Sequence, residues 1–195
     1  MDPGMIFDHV TAVILGTALA ATCGLRAFLP LLGIGALGAM GKLELAESFQ
    51  WMSSPVALAC FGTAVVFEVA ADKFPGVDHV LDVAGTVVKP VAAAIASASM
   101  VTDVDPLLGV VLGLIVGGTL AEAVHLVKSK VRVASSALTV GIANPVVSVL
   151  EDVVALVSTI LSFVIPIVVV TTVVALLSLA TWWLWRRVGR KPSPS

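Results

Sequence analysis

Long apolar runs, cut by short polar or Pro-containing stretches, fill this chain from Val10 to Trp185. A helix needs about 20 mostly apolar residues to cross a bilayer, and several runs approach or pass that length. The first covers residues 10–40 and holds Gly24, Arg26 and Pro30. A break is expected near Pro30, because Pro removes a backbone hydrogen bond and crowds the preceding turn. Residues 41–54 read as a polar loop or surface helix carrying Lys42, Glu44, Glu47 and Trp51. The second run, 55–72, opens with Pro55 after Ser53 and Ser54, which are capping residue types. Lys73-Phe74-Pro75-Gly76 is a turn signal. The third run, 78–101, has Lys89-Pro90 in its middle. Residues 102–105 lead into the fourth, 106–127, where Gly109, Gly113 and Gly117 lie four apart on one face. Such a face lets a second helix approach closely.

Residues 128–136 are basic and polar, and 137–150 contain Asn144-Pro145 before Glu151-Asp152. The stretch 153–185 is then apolar apart from Ser and Thr, with Pro166 inside it. At about 1.5 Å per residue it is too long for one straight crossing of a ~30 Å hydrocarbon layer. Basic residues favour the cytoplasmic side. Lys128, Lys130 and Arg132 form one basic cluster, and Arg186, Arg187, Arg190 and Lys191 another. Placing both on one side requires an even number of crossings between them. The expected architecture is therefore all-α: a transmembrane helical bundle of about six spans, with Pro-broken helices and cytoplasmic termini. The alternative has five spans, with 137–150 as a re-entrant hairpin or surface helix. Trp182, Trp183 and Trp185 beside Arg186-Arg187 read as an interfacial anchor.

Composition agrees with this class. Of 195 residues, 58% are apolar and 12% charged, and the mean hydropathy is +1.09. Soluble domains carry about 25% charged residues. The net charge of −2 implies no partner, and no basic stripe with interleaved aromatics points to nucleic acid. Cys23 and Cys60 lie in apolar stretches and read as small apolar residues rather than a disulfide or metal pair. The first ten residues hold Asp2 and Asp8 but no Lys or Arg, so the first apolar run reads as a retained helix rather than a signal peptide. The chain divides into one transmembrane domain, 1–187, and a short basic tail, 188–195, read as disordered. Within the domain, 55–101 and 107–160 form a candidate repeat. Glu68, Lys73 and Lys89-Pro90 in the first copy correspond to Glu122, Lys128 and Asn144-Pro145 in the second, a pattern common among transporters.

Charges inside spans carry the remaining signal, since each costs about +2.5 to +3.5 kcal/mol on insertion scales. They persist where they face one another, water or a solute. Arg26 and Lys89 are candidates to hold an anion or to balance Glu68 and Glu122. Glu68, Glu122 and His125 are candidates to bind and release protons. Asp72, Asn144 and Glu151 complete the expected pathway. The bland reading is that these groups pair to hold helices in register, and that Asp72, Lys73, Asp78 and Lys128 sit among headgroups. Glu122-x-x-His125 matches half of a bundle di-metal motif, but the second copy is missing; no metal and no cofactor are expected. No nucleophile elbow, phosphate loop or zinc-protease motif occurs, so no catalytic residue is assigned.

Three segments resemble a known family: Gly24-Leu25-Arg26-Ala27-Phe28-Leu29-Pro30, the run Phe67-Glu68-Val69-Ala70-Ala71-Asp72-Lys73 into Pro75 and Asp78, and Asn144-Pro145 through Glu151-Asp152. They look like the small bacterial membrane proteins grouped as domain-of-unknown-function family 4126, with the likeness covering about residues 10–180. The resemblance implies a polytopic protein of the bacterial cytoplasmic membrane and no established activity. From the residues, the leading expectation is a small transporter or channel for an ion or small solute, in contact with the lipid bilayer. A second is a non-transporting scaffold or partner subunit, a homo-oligomer among them, assembling through Gly109, Gly113 and Gly117. A lipid-acting enzyme comes third.

Overall fold

The computed structural model of this protein describes residues 3–73, 77–102, 104–139 and 144–188. Among the described residues eight α-helices appear in order: α1 Pro3–Cys23, α2 Phe28–Ala39, α3 Pro55–Ala71, α4 Val77–Ala98, α5 Pro106–Gly113, α6 Thr119–Thr139, α7 Asn144–Val164 and α8 Pro166–Val188. A 3-10 helix, Glu47–Ser53, precedes α3, and a π-helical turn, Leu114–Gly118, joins α5 to α6. No strand occurs among the described residues. The all-helical class is as expected.

Several boundaries differ from the sequence expectation. The first apolar run breaks at Gly24 to Ala27, not at Pro30. Pro30 is the third residue of α2, where its missing N–H removes one of the donors that a helix start leaves unpaired anyway. Gly24 is the weak point because a Cβ there would collide with the Ala121 carbonyl oxygen and lie 2.7 Å from Val124 Cβ. The close approach of α6 thus demands a glycine, and a glycine weakens the helix. Pro90 does not break α4, which runs through it. Its ring faces Gly118, whose missing side chain leaves space at Pro90 Cβ and the Pro90 carbonyl. Asn144-Pro145 likewise breaks nothing: it starts α7, and Pro is well suited to a first turn. The two copies of the candidate repeat therefore differ at their prolines. The basic stretch 128–136 is helical and continues α6.

Ser54 caps α3 as expected, its Oγ accepting from the Ala57 N–H at 3.2 Å. Asp105 caps α5, accepting from the Leu107 and Leu108 N–H groups at 3.0 and 3.1 Å. The long run 153–185 divides at Ile165, with Pro166 opening α8. The two resulting helices lie side by side and share a groove.

Among the described residues, three helical stretches are long and apolar enough to cross a membrane: Pro106–Thr139, Val146–Val164 and Pro166–Trp183. The 3-10 helix and α3, bent by 66° at their junction, make a fourth if they act as one span. The apolar parts of the other helices, His9–Cys23, Phe28–Ala39 and Val83–Ala98, are shorter. By length and composition the expected six spans thus stand at three to four. Most of the exterior is apolar. The α8 stretch is only 6% buried, as suits a helix whose neighbour is lipid rather than protein. At its end Arg186 lies over the Trp182 ring, 4.2 Å from the centroid, a cation–π contact at the anchor.

The core is made of small residues. Ala18, Leu19, Ala20 and Cys23 of α1 pack near Ala92, Ala93 and Ala96 of α4. A Cβ at Gly16 would stand 3.0 Å from the Ser97 oxygen. The glycine face of α5 and the π turn packs on this same core. A Cβ at Gly113 would reach Ala94 O at 2.7 Å, and one at Gly117 would reach Ala20 Cβ at 2.9 Å, whereas at Gly109 the nearest atom is 3.8 Å away. This face is thus occupied within the chain, by α4 and α1, and the separate partner helix that the scaffold expectation assigned to it has no room at Gly113 and Gly117. Without a hydrophobic drive between helices in lipid, such close backbone approach is a main source of packing energy. Gly113→Leu is expected to cost about 1–3 kcal/mol, the usual penalty of overpacking. Gly109→Ala is expected to be nearly neutral. Unfolding of the purified protein in mild detergent measures both; equal stability of the two variants would refute the tight α4–α5 contact.

Candidate functional site

The α1–α2 break exposes helix ends that require partners, and α3 supplies them. Glu68, one turn before the end of α3, accepts from the Ala27 N–H at 2.9 Å and the Phe28 N–H at 3.4 Å. Its carboxylate therefore caps the start of α2, where unpaired N–H groups and the helix dipole favour negative charge. The Glu68 carbonyl in turn accepts from Arg26 Nη1 at 3.0 Å.

Arg26, only 2% exposed, occupies the break itself. Its Nη1 lies 2.6 Å from Asp72 Oδ2, and its Nη2 donates to Asp152 Oδ1. Asp72 ends α3 and is the hub of the group. Arg132 of α6 forks onto it, with Nη1 to Oδ1 at 3.3 Å and Nη2 to Oδ2 at 3.1 Å. Lys128, one turn earlier on the same face of α6, lies 3.6 Å from Asp72 and 3.2 Å from Glu151 Oε2, and donates to the Leu25 carbonyl at 3.3 Å. Arg132 Nη2 also donates to Glu151. Lys73 closes the outer edge, 3.0 Å from Asp152 Oδ2. Among the described residues four cations and three carboxylates from α3, α6, α7 and the α1–α2 break thus meet in one network. Arg suits its centre, since the planar guanidinium pairs both oxygens of a carboxylate at once.

Beside the network is a cavity of about 310 Å³. Its charged lining is Arg26, Glu68, Asp72, Lys89 and Lys128, and Phe28, Phe67, Val88, Gly85 and several alanines form the rest. Lys89, 5% exposed, holds its Nζ 2.8 Å from His125 Nδ1. A protonated lysine donates there, which leaves the imidazole proton on Nε2. Gly85 keeps room for this pair: a Cβ at that position would stand 3.1 Å from His125 Cε1. Arg26 Nε and Glu122 Oε2 are among the buried side-chain atoms that have no hydrogen-bond partner among the described residues. Glu122 does not line the cavity.

Of the expected pathway residues, Arg26, Glu68, Asp72 and Lys89 line the cavity, Glu151 lies behind Lys128, and His125 stands behind Lys89. The Glu68 carboxylate accepts from backbone amides, while the Arg26 side chain meets the Glu68 carbonyl. The side chains of Asn144, Asp78, His79 and Asp82 lie outside the described residues. Asp72 and Lys128, candidates for headgroup positions, are buried in the network instead. Arg132, which reads as part of a basic cytoplasmic cluster, and Asp152, a span charge beside Glu151, join the network although neither belongs to the expected pathway. The signal for Arg132 is its spacing: Lys128 and Arg132 are four apart on one helix face, as are Glu68 and Asp72. No group of three His, Cys, Asp or Glu side chains that could hold a metal occurs among the described residues.

Removing one member of a buried pair strands its partner, at a cost of about 3–5 kcal/mol. Arg132→Met is expected to destabilise by that amount. Lys73→Met, whose side chain is 38% exposed, is expected to cost below about 1 kcal/mol. Unfolding in detergent compares them, and an Arg132 loss no larger than the Lys73 loss would show the buried fork to be dispensable.

Comparison with known proteins adds one assignment. Neither a curated protein nor a solved structure matches this chain. Residues 13–187, which include the α1–α2 break and every charged residue of the network and cavity, match a single family throughout. This chain belongs to the family described as domain of unknown function (DUF4126).

Proposed function

We propose that this protein is a small transporter or channel, moving an ion or small solute through the charged cavity between α3, α4, α6 and the α1–α2 break. The observation that carries this reading is the cavity itself: five charged side chains line about 310 Å³ of space inside an apolar helical protein. Discontinuous helices add support, because broken helices at a charged centre are a common way to build a solute site in a membrane. In this reading Arg26, Lys89 and Lys128 bind the solute's negative or polar groups. Glu68 and Asp72 hold the walls, the first by capping α2 and the second by anchoring Arg132.

A non-transporting scaffold is the second reading, and the density of pairing around Asp72 favours it. Currents from proteoliposomes on a solid-supported membrane, under ion and pH jumps, separate the two. The wild type is expected to give a current. Lys89→Gln is expected to reduce it at least tenfold with its unfolding midpoint near that of the wild type. No wild-type current under any gradient, or a full current in Lys89→Gln, would overturn the transport reading.

A further inference from the structure

A second space lies on the other side of Lys128. It is a groove of about 490 Å³ between α6, α7 and α8. Its lining is aliphatic except for Lys128, Glu151, Ser158 and Thr172. The groove follows α7 from Val147 to Leu161, about 21 Å at ~1.5 Å per residue. One leaflet's acyl chains fill about half of a ~30 Å hydrocarbon core, so the groove is long enough for an extended chain. One of its walls is α8, the helix with the least burial among the three clear spans. The groove is therefore continuous with the surface that meets lipid.

The two spaces touch at Lys128, which lines both. The α1–α2 break does the same with consecutive residues: Leu25 lines the groove, and Arg26 lines the charged cavity. The partition is thin. Lys128 Nζ bridges it by holding the Leu25 carbonyl and Glu151. A lysine is suited to such a place, because its flexible stem can move while its charge keeps a partner. The cavity's described lining has three cations against two carboxylates, with Asp152 and Glu151 behind Arg26 and Lys128. Both oxygens of Glu68 and both of Asp72 already accept hydrogen bonds from the chain. Arg26, lining the cavity, keeps a buried Nε with no partner among the described residues.

We infer that the ligand of this site is a long-chain carboxylate drawn from the bilayer: its chain lies in the α6–α7–α8 groove, and its carboxylate passes Lys128 to meet Arg26 in the charged cavity. This inference narrows the solute class and rests on the transport reading for its role as cargo. An apolar chain binds the groove by leaving water or exchanging with lipid, and the anionic head replaces the contacts that Lys128 now makes with Glu151 and Asp72. A short carboxylate would gain the second interaction without the first.

Native mass spectrometry of the full chain, with palmitate, acetate or hexadecyltrimethylammonium added, tests it. Palmitate is expected to be retained, and the other two are not. Val154→Trp, at a half-exposed groove position of α7, is expected to lower palmitate retention at least tenfold while the unfolding midpoint holds. Lys128→Gln gives a second check at the partition and is expected to lower retention in the same direction. Acetate or the cation retained as well as palmitate would overturn the inference, as would palmitate retention untouched by Val154→Trp. Proteoliposome currents keep the two ideas apart. Current without palmitate retention would leave transport standing and this ligand refuted; specific retention without current would keep the ligand and refute transport.

Discussion

Everything in this protein depends on how it compensates charge inside an apolar bundle. Asp72 is the hub: its two oxygens face Arg26, Lys128 and Arg132. Each of those cations is fixed on a different part of the chain from α3. The hub therefore works as a long-range tie, drawing the α1–α2 break and the middle of α6 onto the end of α3. Glu151 and Asp152 extend the tie to α7. Burial makes this a tie that cannot be loosened cheaply, since a carboxylate or guanidinium left alone in low dielectric keeps its full desolvation cost.

The same constraint explains the odd local features. A helix broken at Gly24 to Ala27 has unpaired amides and carbonyls, which are costly without water. Here the chain satisfies them with side chains: Glu68 takes the amides of Ala27 and Phe28, and Lys128 takes the carbonyl of Leu25. The break and the charged residues are thus one device. Charged side chains reach the break because α1, α4 and α6 approach closely on small residues. Gly24 lets α6 come against the break, and Gly117 lets the π turn sit on Ala20 and Ala93. The π turn is an understandable defect at that point, for such bulges shift the facing of the helix that follows. Downstream of it, α6 presents His125, Lys128 and Arg132 to the interior.

Much of the fold was legible in the sequence, and the reasons for the gaps are physical. Apolar length located the helices, and Ser54 and Pro55 marked the start of α3. Intramembrane charge picked out Arg26, Glu68, Asp72, Lys89 and Glu151 as residues requiring partners. Prolines misled most. Pro30 and Pro145 sit in first turns and Pro90 passes beside a glycine, because the effect of a proline depends on tertiary space that no local pattern encodes. Lys128 and Arg132 misled for a related reason. A cluster of Lys, Ser and Arg after an apolar run looks like a cytoplasmic loop, and only the carboxylates on α3 and α7 turn it into the interior face of a helix. The partners of Glu68 could not be named either, since a carboxylate that caps another helix's backbone leaves no trace in side-chain pairing.

A network that is densely paired and a cavity that is charged are usually taken as evidence for opposite functions. In this chain they are compatible, because the pairs are unequal. Arg132 and Asp72 share a two-point fork and are buried together, so their geometry is rigid. Lys128 is held by single contacts at 3.2 to 3.6 Å to three acceptors. A single flexible ammonium shared among three acceptors can exchange one for another at small cost, whereas a guanidinium fork cannot shift without losing both bonds. The network thus combines a rigid fork at Arg132 with a buried Lys128 ammonium that can exchange acceptors. Lys128 stands where the charged cavity and the lipid-facing groove meet, so an exchange of its partners is the change in the network that would reach both spaces at once.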